Sequence, residues 1–144
     1  MKKHSRTTPR LLILGIALLM AVAASAQATP YKVVFDMTSK DTINQQSLIR
    51  ELGLILGANP NASLEVVFYG QGLDLVVKDR SAQQPAVQKL IADKKVSFKV
   101  CAISMKRQNI DNSQLLPGVE TVPDGIYELI SKQHEGWGYI KVAH

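Results

Sequence analysis

Apolar runs of strand length alternate with longer segments of helical period along most of the chain. YKVVFDM (31–37) is short, β-branched and aromatic, and predicts a first strand. INQQSLIRELGLILGANP then puts Leu48, Leu52, Ile55 and Leu56 on one helical face, and Asn59-Pro60 ends it. Gly53 and Gly57 weaken that helix, so its persistence predicts close packing against a neighbour. SLEVVFYGQG (63–72) predicts a second strand that runs into a glycine-punctuated loop, and LDLVVKD fits either a helical turn or a short strand. QPAVQKLIADKK predicts a helix with Val87, Leu90 and Ile91 inward and Pro85 near its first turn. VSFKVCAI (96–103) predicts a third strand, with SMKRQNI as a short helix or turn after it. LLPGVETVP contains a turn and a fourth strand, DGIYELISKQHEG a helix capped by Asp124 and stopped at Gly136, and WGYIKVA a final strand.

Strands alternating with helices predict an α/β domain, and crossovers of this length are of the right-handed kind that joins parallel strands. The near-continuous apolar runs at 33–35 and 66–69 suit strands covered on both faces. The expected architecture is a three-layer sandwich with a mostly parallel, flavodoxin-like sheet of about five strands.

The first residues change the electrostatic picture. Lys2, Lys3, Arg6 and Arg10 precede an apolar run from Leu11 to Ala23, and ASA at 24–26 fits a signal-peptidase site, with AQA ending at Ala28 as the second choice. The apolar run is short against the roughly 20 residues of a membrane-spanning helix. The reading is therefore a cleaved export signal over 1–26, a single domain over 27–144 and a periplasmic address without a membrane anchor. Of 17 Lys and Arg in the whole chain, four leave with that segment, so 13 remain against 12 Asp and Glu. A charge near +1 offers no field for a polyanion, which argues against nucleic acid as a partner.

Export sharpens the question of Cys101, the only cysteine of the chain, because oxidising compartments favour paired thiols. In an open parallel sheet, functional groups gather beyond the carboxyl ends of the strands, which is where Cys101 falls. Ser104 is positioned to cap the following helix, with the N–H groups of Met105, Lys106 and Arg107 pointing back toward the strand end. A helix N-terminus and the cations Lys106 and Arg107 both favour a thiolate. The competing reading is a small apolar filler inside the sheet, the commonest fate of a free cysteine. Asp36, Tyr69, Gly70 and Gly72 stand at the ends of the first two strands and are expected to line the same crevice. His134 reads as a surface residue near a helix C-terminus. With so few histidines and one cysteine no zinc-type ligand set can be assembled, and neither a dinucleotide fingerprint nor a P-loop is present, so no metal or organic cofactor is expected.

VSFKVCAISMKRQNI, followed by LLPGVETVPDGIYELISKQHEGWGYIKV, resembles the DsrE/DsrF-like family of small sulfur-relay proteins, from YKVVFDM onward. The resemblance implies a three-layer α/β sandwich and a homo-oligomer, a trimer or hexamer. It also implies that Cys101 accepts sulfane sulfur as a persulfide and passes it on, with Ser104, Lys106 and Arg107 in support. Donor and acceptor thiol proteins would have to operate outside the cytoplasm. The alternative is a non-enzymatic oligomeric binding or accessory protein with a buried, structural Cys101.

Overall fold

The computed structural model describes residues 30–142. The expected export segment 1–26, both cleavage positions and the terminal Ala143 and His144 lie outside the described residues. In chain order the elements are β1 (Lys32–Met37), α1 (Thr42–Ala58), β2 (Ser63–Phe68), a 3-10 turn (Gly72–Val76) and α2 (Gln84–Ala92). They continue with β3 (Val96–Cys101), α3 (Ala102–Arg107), a second 3-10 turn (Asn112–Gln114), β4 (Glu120–Val122), α4 (Gly125–His134) and β5 (Gly138–Val142). All five strands are parallel, in the order β4-β3-β2-β1-β5. This is an α/β fold of flavodoxin-like type, as the alternation of strands and helices predicts.

Alternation of side chains along each strand gives the sheet two unlike faces. On the first, Phe35 and Met37 of β1, Val66 and Phe68 of β2 and Phe98 and Val100 of β3 pack on Leu48 and Leu52 of α1 and Val87 and Leu90 of α2. The Phe68 and Phe98 rings stack at 5.9 Å between centroids. LDLVVKD belongs to this core: the 3-10 turn buries Leu73, Leu75 and Val76, and Val77 bridges to Leu115. The second face holds only a small apolar cluster, Val34, Val67 and Leu129 of α4, with Tyr69 and Trp137 against it. Its other positions are polar: Asp36 and Glu65 are buried, and both find partners on neighbouring elements.

Asp41 caps α1, its carboxylate accepting from the Ile43 N–H at 2.8 Å. Gly53 and Gly57 do not meet a neighbour within the chain. Both are exposed, and a Cβ at either would face open space. The helix is held instead by Leu48 and Leu52, so the two glycines mark its outer side rather than a tight contact. Among the described residues no helix is long and apolar enough to cross a membrane.

Candidate functional site

β3 ends on Cys101, and α3 begins on the next residue, so the cysteine itself occupies the N-cap position, with extended backbone at φ −69°, ψ 117°. Ser104 therefore does not cap this helix. It sits in the first turn, where its hydroxyl accepts from the Gly70 N–H at 2.9 Å. Gln108 ties down the same loop by donating its side-chain amide to the Gly70 carbonyl. Gly70 adopts φ +58°, in the left-handed region that glycine enters without strain.

A second helix start converges on the sulfur. Asp124 caps α4 through the N–H groups of Ile126 and Tyr127, and Gly125 follows directly over the strand end. A Cβ at Gly125 would lie 3.1 Å from Cys101 Cβ and 3.2 Å from Val67 Cγ1, so only glycine brings this backbone so close. Burial pushes the Cys101 thiol up. The backbone N–H groups of Gly125, Ser104 and Ile103, with the Ser104 hydroxyl, outweigh that effect and hold it below its ordinary value. The donors are thus the expected start of the following helix and one hydroxyl, joined by Gly125, while the Lys106 and Arg107 charges are not among the causes.

Cys101 is 4% exposed and forms part of the floor of a crevice of about 490 Å³. Tyr69, Gly70, Ser104 and Arg107 line it, as the sequence suggests, together with Ile103, Gln108, Asp124 and Ile126. Three of the expected residues are elsewhere. Lys106 is exposed beside the crevice without lining it. Gly72 opens the 3-10 turn against β1, where a Cβ would fall 2.2 Å from the Met37 carbonyl oxygen. Asp36 lies behind the crevice wall, 3% exposed, and accepts from Tyr69 Oη at 3.1 Å, Tyr139 Oη at 2.7 Å and Lys141 Nζ at 2.9 Å. It braces Tyr69 from below instead of facing substrate, and Lys141 also stacks over the Tyr69 ring at 5.5 Å. Burial and then the Asp36 charge push the Tyr69 phenol up to about 12. The hydrogen bond to Asp36 and then burial do the same for Tyr139, also to about 12. Both hydroxyls therefore serve as fixed donors at neutral pH.

The site residues missed by sequence reasoning are Gly125, Ile126, Ile103 and Gln108, together with Asp124, which was read only as a helix cap. The signal for Gly125 was the Asp-Gly pair: glycine is a poor choice in a first helical turn unless something must approach closely. A cavity of about 510 Å³ at the opposite end of the sheet is lined by Lys94, Lys95, Ser97 and Trp137, among others, and includes no thiol or imidazole. Among the described residues no group of three or more His, Cys, Asp or Glu could hold a metal ion.

A parallel α/β sandwich with a cysteine at the carboxyl end of an inner strand, under two helix starts, defines a narrow structural class. The family model for DsrE/DsrF-like proteins matches residues 16–142, and the chain belongs to that family. Among solved structures, a protein of unknown function from Methanobacterium thermoautotrophicum, MTH1491, is similar: 29% identity, TM-score 0.73, covering 77% of this chain and 98% of that one. No curated protein matches the chain.

Proposed function

We propose that this protein is a periplasmic sulfur carrier that holds sulfane sulfur as a persulfide on Cys101. Family membership supports a sulfur-relay role in general. The observation that carries the finer reading is the set of N–H donors from Gly125, Ser104 and Ile103 on a sulfur that opens into a crevice. These groups stabilise the attacking thiolate, and the crevice gives room for the outer sulfur of the persulfide, which carries the charge after transfer. The step is attack of the Cys101 thiolate on a sulfane sulfur with departure of the donor's leaving group, then removal of the outer sulfur by an acceptor thiolate. Each transfer makes one bond to sulfur and breaks one, so no metal or organic cofactor is needed. Periplasmic placement rests on the cationic and apolar pattern of the first 26 residues.

Incubation with polysulfide should add about 32 Da to the intact mass, reversed by dithiothreitol and absent in Cys101→Ser. A second reading is favoured by one observation: at 4% exposure, Cys101 is as buried as a packing residue. In that case native protein resists thiol reagents and reacts only when unfolded, and the carrier assignment fails. We further propose a homo-oligomer, trimeric or hexameric, supported by the exposed Ile126, Tyr127 and Ile130 along one side of α4.

A further inference from the structure

We propose that the donor for this crevice is a small organic anion of the thiosulfonate class, with Arg107 recognising its charge. The proposal rests on the carrier reading of Cys101 and adds the chemistry of what delivers the sulfur. Arg107 is the one cation lining the crevice among the described residues. Arg50 and Arg80 are paired with Glu51 and Asp74 at 3.3 Å, whereas Arg107 has no ion-pair partner among the described residues. A guanidinium free to offer its planar fork suits a two-oxygen anionic head. The one acidic residue in the lining, Asp124, accepts from the Ile126 N–H at 2.8 Å and the Tyr127 N–H at 3.4 Å. The start of α4 therefore offsets the charge that would repel an anion. Ile103 and Ile126 complete the wall with apolar surface, 45% and 55% exposed, to which the organic part of a donor can pack. A crevice of about 490 Å³ is in the range that encloses a small molecule.

The chemistry balances without a further reactant. The Cys101 thiolate attacks the outer sulfur of R–SO2–S⁻, and a new S–S bond forms as the donor's S–S bond breaks. The electron pair of the broken bond leaves with the sulfinate, R–SO2⁻, and Cys101 is left as the persulfide anion. The net shift of negative charge is from the Cys101 sulfur to the departing sulfinate, whose oxygens Arg107 meets, while the outer sulfur stays anionic.

Iodoacetate and iodoacetamide alkylate the same thiol and differ in charge, so their rate ratio on folded protein reads the anion preference apart from sulfur transfer. The ratio should drop about three- to tenfold in Arg107→Gln, recover in Arg107→Lys, and converge with that of the wild type at high salt. Arg107 is exposed, so these variants are expected to fold. Benzenethiosulfonate should then load one sulfur on wild-type Cys101, several-fold more slowly on Arg107→Gln. An unchanged alkylation ratio overturns the proposal. So does loading from polysulfide with none from benzenethiosulfonate, which leaves the carrier reading standing. Loading from neither sinks the carrier reading, and the proposal with it.

Discussion

Beneath α4, Glu65 keeps Oε2 against the Ser97 hydroxyl at 3.1 Å, with Lys132 at 3.9 Å, and leaves Oε1 buried without a partner. Burial dominates there and pushes the carboxyl up to about 7. Lys132 opposes the shift, and a hydrogen bond to Glu128 adds to it. A protonated Glu65 resolves the orphan oxygen, because its O–H can donate to Glu128. The folded state then binds a proton that the unfolded chain releases at an ordinary carboxyl value. Stability should accordingly fall as pH rises from about 4.5 to 7, and level off above that. The change is on the order of 1–3 kcal/mol, and Glu65→Gln should flatten it in urea titrations across this range. A pH profile of the variant that matches the wild type would remove Glu65 as its cause. At Cys101 the expectation is different. Ser in place of Cys inherits the Gly125, Ser104 and Ile103 N–H donors. Its hydroxyl is satisfied, and the cost should stay within about 1 kcal/mol, well short of a buried unpaired group.

At the scale of elements, α4 performs two tasks: it is the cover of the polar sheet face, and its first turn supplies a donor to the sulfur. Gly125→Ala forces a methyl into Cys101, Val67 and Tyr69, all within 3.4 Å. It should cost about 1–3 kcal/mol and also slow thiol alkylation at neutral pH, since the helix start must retreat from the sulfur. Loss of stability with an unchanged thiol pKa would show that the Gly125 N–H does not act on Cys101.

The same element shows what sequence can and cannot reveal. Its period and its Asp124 cap are local, and both were legible. So were the five strands, because apolar runs such as VVF are short and β-branched, and so was the placement of Cys101 at a strand end. The source of its lowered pKa was legible in part: the start of the following helix, with Ser104, was expected and contributes. Lys106 and Arg107 are near in sequence, but the principal donor comes from Gly125, 24 positions on, and reaches Cys101 only through the crossing of α4. Asp36 was misplaced for a related reason. Reading it as a strand end aims it at the crevice, whereas β1 continues through Met37 and β5 supplies two of its donors from the other end of the chain.

For the whole molecule, the proposed oligomer would cover exposed apolar side chains of α4. Tyr127 is 72% exposed beside Ile126 and Ile130, and residues 27–144 carry 13 Lys and Arg against 12 Asp and Glu. Light scattering at micromolar concentration should give several times the mass of one chain. Tyr127→Glu with Ile130→Glu should lower that mass toward the monomer without unfolding it. A wild-type monomer across that range would count against the oligomer.

The strand order sets a schedule. β1 lies between β2 and β5, and β5 is the last of the described elements to be made. Asp36 and Lys141 stand 105 positions apart. At about 5–20 residues per second, a nascent chain spends on the order of ten seconds with Asp36 lacking both of its β5 donors. During that interval β1 is an open edge bearing a carboxylate meant for burial, so the sheet stays open on that side until β5 has been made. Closure of the sheet therefore waits on β5, and for that interval a chain with its first strand unpaired on one side is open to whatever machinery handles it.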